Sequence, residues 1–247
     1  WTFTKGDNLA PTITCPANIT TAKTSDDDTG NCTTTVALGT PTVLDNCATG
    51  SIIFTAKVGG VTINPSTYLF GTGSTTVVWT ASDQSGNVSQ PCNQTVTVTD
   101  TEKPTITCPS NITTTTAVGG CTRLVNVPSP TTVDNCGTIA KLTWSMTGAT
   151  TATSALTGIN PIGNYTFNLG ITTVQYTVTD SATNTSNCSF TVTVNDNQPP
   201  IFTNCPTNPA PLCADSTGKY TKTGTSWNAT ALDGCSTISS LTYTLSG

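Results

Sequence analysis

An all-β fold of tandem immunoglobulin-like β-sandwich repeats arranged end to end is the class this sequence predicts, and three observations carry it. First, a cysteine recurs in one setting: Pro11-Thr12-Ile13-Thr14-Cys15-Pro16, Pro104-Thr105-Ile106-Thr107-Cys108-Pro109 and Ile201-Phe202-Thr203-Asn204-Cys205-Pro206, spaced 93 and 97 residues apart. That period suits one small sandwich per repeat. Second, Val and Thr alternate strictly over residues 95–99 and 191–194, the pattern of a sheet wet on one face. Third, no helical periodicity persists beyond two turns, and 20 Gly and 15 Pro punctuate the chain.

The elements follow in order. Asp7, Asp100 and Asp196 each precede a proline by four residues, at Pro11, Pro104 and Pro200. Residues 1–8 therefore read as the end of a preceding repeat, 9–101 as the first sandwich, 102–198 as the second and 199–247 as an incomplete third. Within each full repeat, residues 75–83 match 172–180, with Trp79 and Tyr176 at the same place. This is a central strand whose aromatic is expected to be buried. A loop carrying Cys92 or Cys188 leads into the Val/Thr strand, and about seven short strands per repeat are expected. Short joints stiffened by proline predict a rigid stack rather than a flexible chain.

Composition limits the function. Only 9% of residues are charged, His is absent, the net charge is −5 and the pI is near 4.3. A phosphate backbone or an anionic membrane surface would find little to bind, so nucleic acid and membrane insertion are excluded as partners. No apolar run approaches the roughly 18–20 residues that span a bilayer, and the amino end lacks a signal-peptide layout, which predicts a segment of a longer exported protein. Eleven cysteines point to an oxidising, extracellular location. Threonine fills 60 of 247 positions and suits strands with a polar, nearly uncharged face.

Catalysis has little to stand on. Without His, a hydrolase would need a carboxylate pair or a Ser-Lys arrangement, and none of the 13 acids falls in such a motif. No enzyme activity is expected, and no catalytic residue is assigned. Zinc would need closely spaced Cys pairs or His partners, which the sequence lacks. Calcium is the one cofactor considered, with Asp83, Asp100, Asn195 and Asp196 as candidate oxygen ligands at loops and joints. Asp26-Asp27-Asp28 is a further acidic group, and the competing reading is that these Asp and Asn residues cap turns. Four cysteines per full repeat (Cys15, Cys32, Cys47, Cys92; Cys108, Cys121, Cys136, Cys188) allow three connectivities. The second and third lie 15 residues apart in both repeats. Sequons at Asn18, Asn87, Asn93, Asn111, Asn164 and Asn228 follow from the threonine content alone.

The combined pattern resembles the hyalin repeat. It consists of Pro-x-Ile-x-Cys-Pro, a second Cys, Asp45-Asn46-Cys47 or Asp134-Asn135-Cys136, an aromatic strand ending in Thr-Asp, and a last Cys. The hyalin repeat is an immunoglobulin-like module of extracellular adhesion proteins. The resemblance covers two repeats fully and a third in part, where Asp233-Gly234-Cys235 and a displaced Cys213 depart from it. Because two-cysteine members of the family keep the first and last, the resemblance implies nested bridges: Cys15–Cys92, Cys32–Cys47, Cys108–Cys188, Cys121–Cys136, and Cys213–Cys235 with Cys205 left over.

Threonine-rich arrays of this kind look like the very large surface adhesins of gliding bacteria, exported by the type IX route. Residues 195–202 resemble the calcium-binding linker of cadherins. Asp180-Ser181-Ala182 and Asp215-Ser216-Thr217 resemble an O-glycosylation signal of such bacteria, which makes Ser181 and Ser216 candidates. The function this implies is a structural shaft of a cell-surface adhesin. Its partners would be neighbouring repeats, surface or secretion machinery, and an extracellular surface or polysaccharide reached through other parts of the protein. The alternatives are a glycan- or protein-binding module and a spacer in an exported enzyme.

Overall fold

A computed structural model of the chain describes residues 6–23, 32–47, 50–204 and 229–242. Among these residues every regular element is a strand, and no helix is long and apolar enough to cross a membrane. The chain is all-β, with two tandem sandwiches built to one plan and a third repeat described only in part.

The first sandwich contains β1 (Thr12–Thr14), β2 (Ile19–Lys23), β3 (Thr33–Thr35), β4 (Thr42–Leu44), β5 (Ile53–Val58), β6 (Val61–Ile63), β7 (Leu69–Gly71), β8 (Gly73–Ser82) and β9 (Cys92–Asp100). Its main sheet runs β2-β9-β8-β5-β6, and the short pairs β1-β4 and β3-β7 complete it. The second contains β10 (Thr105–Thr107), β11 (Ile112–Thr115), β12 (Thr122–Val127), β13 (Thr131–Val133), β14 (Ile139–Gly148), β15 (Ala152–Thr153), β16 (Gly163–Asn168), β17 (Gly170–Asp180) and β18 (Thr185–Asn195). Its main sheet runs β11-β18-β17-β14-β15, with β10-β13 and β12-β16 beside it. In both, the strand after the first cysteine pairs parallel to the last strand, as β2 with β9 and β11 with β18. Among the described residues each sandwich thus has nine strands where about seven were expected. The excess consists of two- and three-residue pieces that a period-2 pattern is too short to reveal. The third repeat contributes β19 (Ile201–Asn204) paired with β20 (Thr230–Leu232).

By compactness the chain forms two units, one of Trp1–Ile106, Thr132–Lys141 and Thr177–Ser186, the other of Thr107–Thr131, Leu142–Tyr176 and Asn187–Gly247. In the first unit Leu38, Ala56, Phe70, Val77, Trp79, Val96 and Val98 form the core. Alternation decides this: along β8 and β9 every second side chain, Val77, Trp79, Val96 and Val98, turns inward, and the residues between them, Val78 and Thr97, are only half-buried. In the second repeat Val174, Tyr176, Val178, Phe190, Val192 and Val194 hold the matching positions and are buried.

Gln94 is fully buried, accepts the Trp79 indole N–H at 3.0 Å, and donates to the carbonyls of Ala17 and Leu38, both at 2.8 Å. It therefore ties the central strand to the loops after Cys15 and before β4. The second repeat places Phe190 there, stacked on Tyr176 at 6.2 Å, and Tyr176 instead accepts from the Ile162 N–H at 3.4 Å. Replacing Gln94 by Ala leaves one indole donor and two carbonyls buried without partners. Gln94→Ala should cost about 3 kcal/mol, read by denaturant unfolding of the 247-residue chain, whereas Phe190→Leu should cost less.

Candidate metal centre

Each sandwich ends a long strand in an aspartate that begins a tight turn. After β8, Asp83 Oδ1 accepts the Asn87 backbone N–H at 2.8 Å and Oδ2 accepts the Asn87 side-chain amide at 2.7 Å. That amide also donates to the Asp7 carbonyl at 3.3 Å. After β17 the arrangement is repeated: Asn184 donates to Asp180 Oδ1 at 2.8 Å and Oδ2 at 2.9 Å, and to the Asp100 carbonyl at 3.3 Å. A joint aspartate is thereby held against a turn aspartate. A third carboxylate arrives from the loop carrying Asp-x-Cys. One oxygen each from Asp7, Asp45 and Asp83 lies within 4.8 Å of the others, and the same is true of Asp100, Asp134 and Asp180.

The turn-capping reading accounts for part of this chemistry. Asp7 Oδ1 accepts the Leu9 N–H at 3.1 Å, Asp100 Oδ1 the Glu102 N–H at 3.0 Å, and Asp196 Oδ1 the Gln198 N–H at 3.0 Å. It does not account for all of it. Asp45 Oδ1 and Asp100 Oδ2, one in each triad, are buried and accept no hydrogen bond from the described residues. Asp83 and Asp180 are buried too, at 8% and 1% exposure. The Asn87 amide holds the Asp83 carboxyl below the usual carboxylate range, so it is charged at neutral pH. Beside the second triad Glu102 is 2% exposed, with Asn135 donating its amide to Glu102 Oε2. Hard oxygens on opposite sides of a calcium ion are about 4.6–5.2 Å apart, so both triads fit one small hard cation, with carbonyls or water supplying the remaining ligands.

The structure groups the carboxylates differently from the ligand set expected from sequence. Asp83 and Asp100 belong to different triads, and Asn195 and Asp196 belong to neither. The Asn195 side chain is exposed, and its carbonyl accepts the Thr116 N–H at 2.9 Å. A joint aspartate alone makes no site, because the other two carboxylates come from the Asp-x-Cys loop and the turn after the long strand. Asp7, Asp45, Asp134, Asp180 and Glu102 were missed. The signal was present in the threefold Asp-x-Cys motif and in the aspartates at the ends of the aromatic strands, Asp83 and Asp180, which by sequence read only as repeat markers. Of the glycan candidates, Ser181 is exposed next to Asp180, Ser216 lies outside the described residues, and the sequon Asn87 is engaged with Asp83 and Asp7. Asp26-Asp27-Asp28 also lies outside the described residues.

The cysteines divide into two patterns. Cys15 is bonded to Cys92 and Cys108 to Cys188, each with Cα atoms 5.7 Å apart, which pins the strand-opening loop to the last strand. The inner pairing differs from the nested scheme. Cys121 is bonded not to Cys136 but to Cys235, 114 residues away, with Cα atoms 5.0 Å apart. Cys235 is therefore not joined to Cys213, which with Cys205 lies outside the described residues. Nor is Cys32 bonded to Cys47.

These features define a class: sandwich modules in tandem, disulfide-tied and carrying a carboxylate cluster in their loops. The chain belongs to the HYR domain family, whose model matches residues 6–98 and 99–194. It is 31% identical over 212 residues to hyalin of Strongylocentrotus purpuratus, covering 84% of this chain and 16% of that protein. Among solved structures it is similar to mouse cadherin-23 EC22-24 (TM-score 0.45, 13% identity, covering 80% of this chain and 71% of that one). It is also similar to human CDH23 EC21-23 (TM-score 0.42, 15% identity, covering 79% and 73%).

Two outcomes follow. Titrating calcium into chelator-treated protein should raise the melting temperature, by the equivalent of about 2.7 kcal/mol at a hundred times the dissociation constant. Asp180→Asn should weaken that response, and Asp196→Asn should leave it intact. Thr183 has φ 78° where the first repeat has Gly86 at 87°. A β-branched residue is strained there, so Thr183→Gly should stabilise the chain by about 0.5–1 kcal/mol in thermal melts, net of the entropy glycine adds to the unfolded state.

Proposed function

We propose that this chain is a non-catalytic segment of the shaft of an extracellular adhesin, stiffened at its joints by bound calcium. One observation supports this most: the carboxylate triad is built twice, from equivalent residues of successive repeats and with the same Asn-to-joint hydrogen bond. A catalytic site is rarely copied every 95 or so residues, whereas a structural joint must be. The match to hyalin, of whose length the chain spans 16%, supports the extracellular, adhesion-related setting. The disulfides agree with export. A glycan platform would need several exposed aromatics on one face, whereas Phe70, Trp79, Phe167, Tyr176 and Phe190 are in the cores and Phe202 is the exposed large aromatic among the described residues. The finer setting, a gliding-motility adhesin using type IX secretion, rests on the threonine-rich, four-cysteine pattern alone; a type IX sorting domain in the full-length gene is its test.

The shaft reading is decided by small-angle scattering of the 247-residue chain in calcium and in chelator. With calcium the maximum dimension should reach roughly 80–100 Å, from about 35–40 Å per sandwich. A radius of gyration near the roughly 18 Å of a compact body of this size would overturn the reading.

A further inference from the structure

The Cys121–Cys235 bond joins the second cysteine of one repeat to the third cysteine of the next. The same junction one repeat earlier would join Cys32 to Cys136. The surroundings of Cys32 reproduce those of Cys121. Each precedes a short strand, β3 or β12, paired antiparallel with β7 or β16. The Cys32 carbonyl accepts the Thr72 N–H at 3.1 Å, and the Cys121 carbonyl accepts the Leu169 N–H at 2.9 Å.

The sulfurs are placed alike as well. Cys121 Sγ lies 2.7 Å from the carbonyl oxygen of Gly234, the residue before its partner Cys235. Cys32 Sγ lies 2.6 Å from the carbonyl oxygen of Asn135, the residue before Cys136. The carbonyl that marks the bonded partner in one junction therefore touches the Cys32 thiol in the other. Cys32 and the loop bearing Cys136 belong to the same compact unit, so the approach is part of that unit's own packing.

We infer that Cys32 and Cys136 form a disulfide in the exported protein, and that the family's inner cysteines here cross-link each repeat to its successor rather than closing a loop within a repeat. The step is an ordinary two-electron oxidation. The two thiols lose two protons and two electrons as the S–S bond forms, and the disulfide of a thiol-disulfide oxidoreductase, or a small-molecule disulfide, is reduced to two thiols in exchange.

The test is disulfide mapping of the whole 247-residue chain produced in an oxidising compartment and alkylated under denaturing conditions. An endoprotease cutting on the amino side of aspartate separates Cys32 from Cys47 at Asp45, and Cys121 from Cys136 at Asp134. The peptide holding Cys32 should be found joined to the peptide beginning at Asp134, and reduction should release both. A Cys32 peptide joined to the one beginning at Asp45, or found alkylated, would overturn the inference. Cys32→Ser gives an independent reading: one additional alkylation should appear, on Cys136. Its appearance on Cys47 instead would also overturn it.

Discussion

Oxygens of Asp100, Asp134 and Asp180 meet within 4.8 Å, and Asp180 is almost wholly buried. Like charges at that distance repel by about 1 kcal/mol per pair in bulk water and about 3–4 kcal/mol at an effective dielectric near 20. Such a cluster persists only if other forces fix each carboxylate. Here β17 and β18 carry Asp180 at the end of a long paired strand, Asn184 ties it to the Asp100 carbonyl, and the Glu102 N–H holds Asp100 Oδ1. The cores supply the rigidity and the loops direct the charges. The sandwich is therefore a frame that holds a repulsive arrangement of carboxylates in place.

Comparing the two repeats separates what the frame needs from what the cluster needs. The frame is free to vary: a Trp79–Gln94 hydrogen bond in one repeat becomes a Tyr176–Phe190 stack in the other, since either fills the space and leaves the buried polar atoms satisfied. The cluster varies less. Asp83 and Asp180, Asn87 and Asn184, and Asp7 and Asp100 keep both their identity and their hydrogen bonds, although the turn itself changes from Gly86 to a strained Thr183. Both turns keep a positive φ at this place, with backbone strain at Thr183, and both keep the Asp-Asn pair.

The sequence made the strands with strict Val/Thr alternation legible, along with their buried aromatics, because a period of two is written into five or more residues at a time. Two-residue strands such as β15 left no such trace. The outer bridges were legible only through family resemblance. The inner one was not, because repeats aligned in one dimension give each cysteine's type but not which copy holds its partner. The constant 15-residue spacing between Cys32 and Cys47, and between Cys121 and Cys136, reflects a frame repeated in both sandwiches and does not say which copy holds each partner. The acidic clusters were hidden for the same reason: sequence groups Asp100 and Asp196 with their chain neighbours, whereas Asp100 meets residues 34 and 80 positions away.

One short motif links the two devices. Asp45 and Cys47, Asp134 and Cys136, and Asp233 and Cys235 are each two residues apart, so a single loop supplies both a carboxylate and a sulfur. In the third repeat the motif is closed on itself as well as bonded outward. Asp233 Oδ1 accepts the N–H groups of Cys235 at 2.8 Å and Ser236 at 3.0 Å, which holds its carboxyl below the usual range. A bond at the cysteine restricts where the aspartate two residues earlier can go, and so lowers the entropy lost when a cation gathers it. Conversely, a cation bound at the aspartate would restrict where the cysteine two residues later can go. The covalent link is permanent in an oxidising setting and the ionic one reversible. Building both from one tripeptide lets each strengthen the other without enlarging the loop.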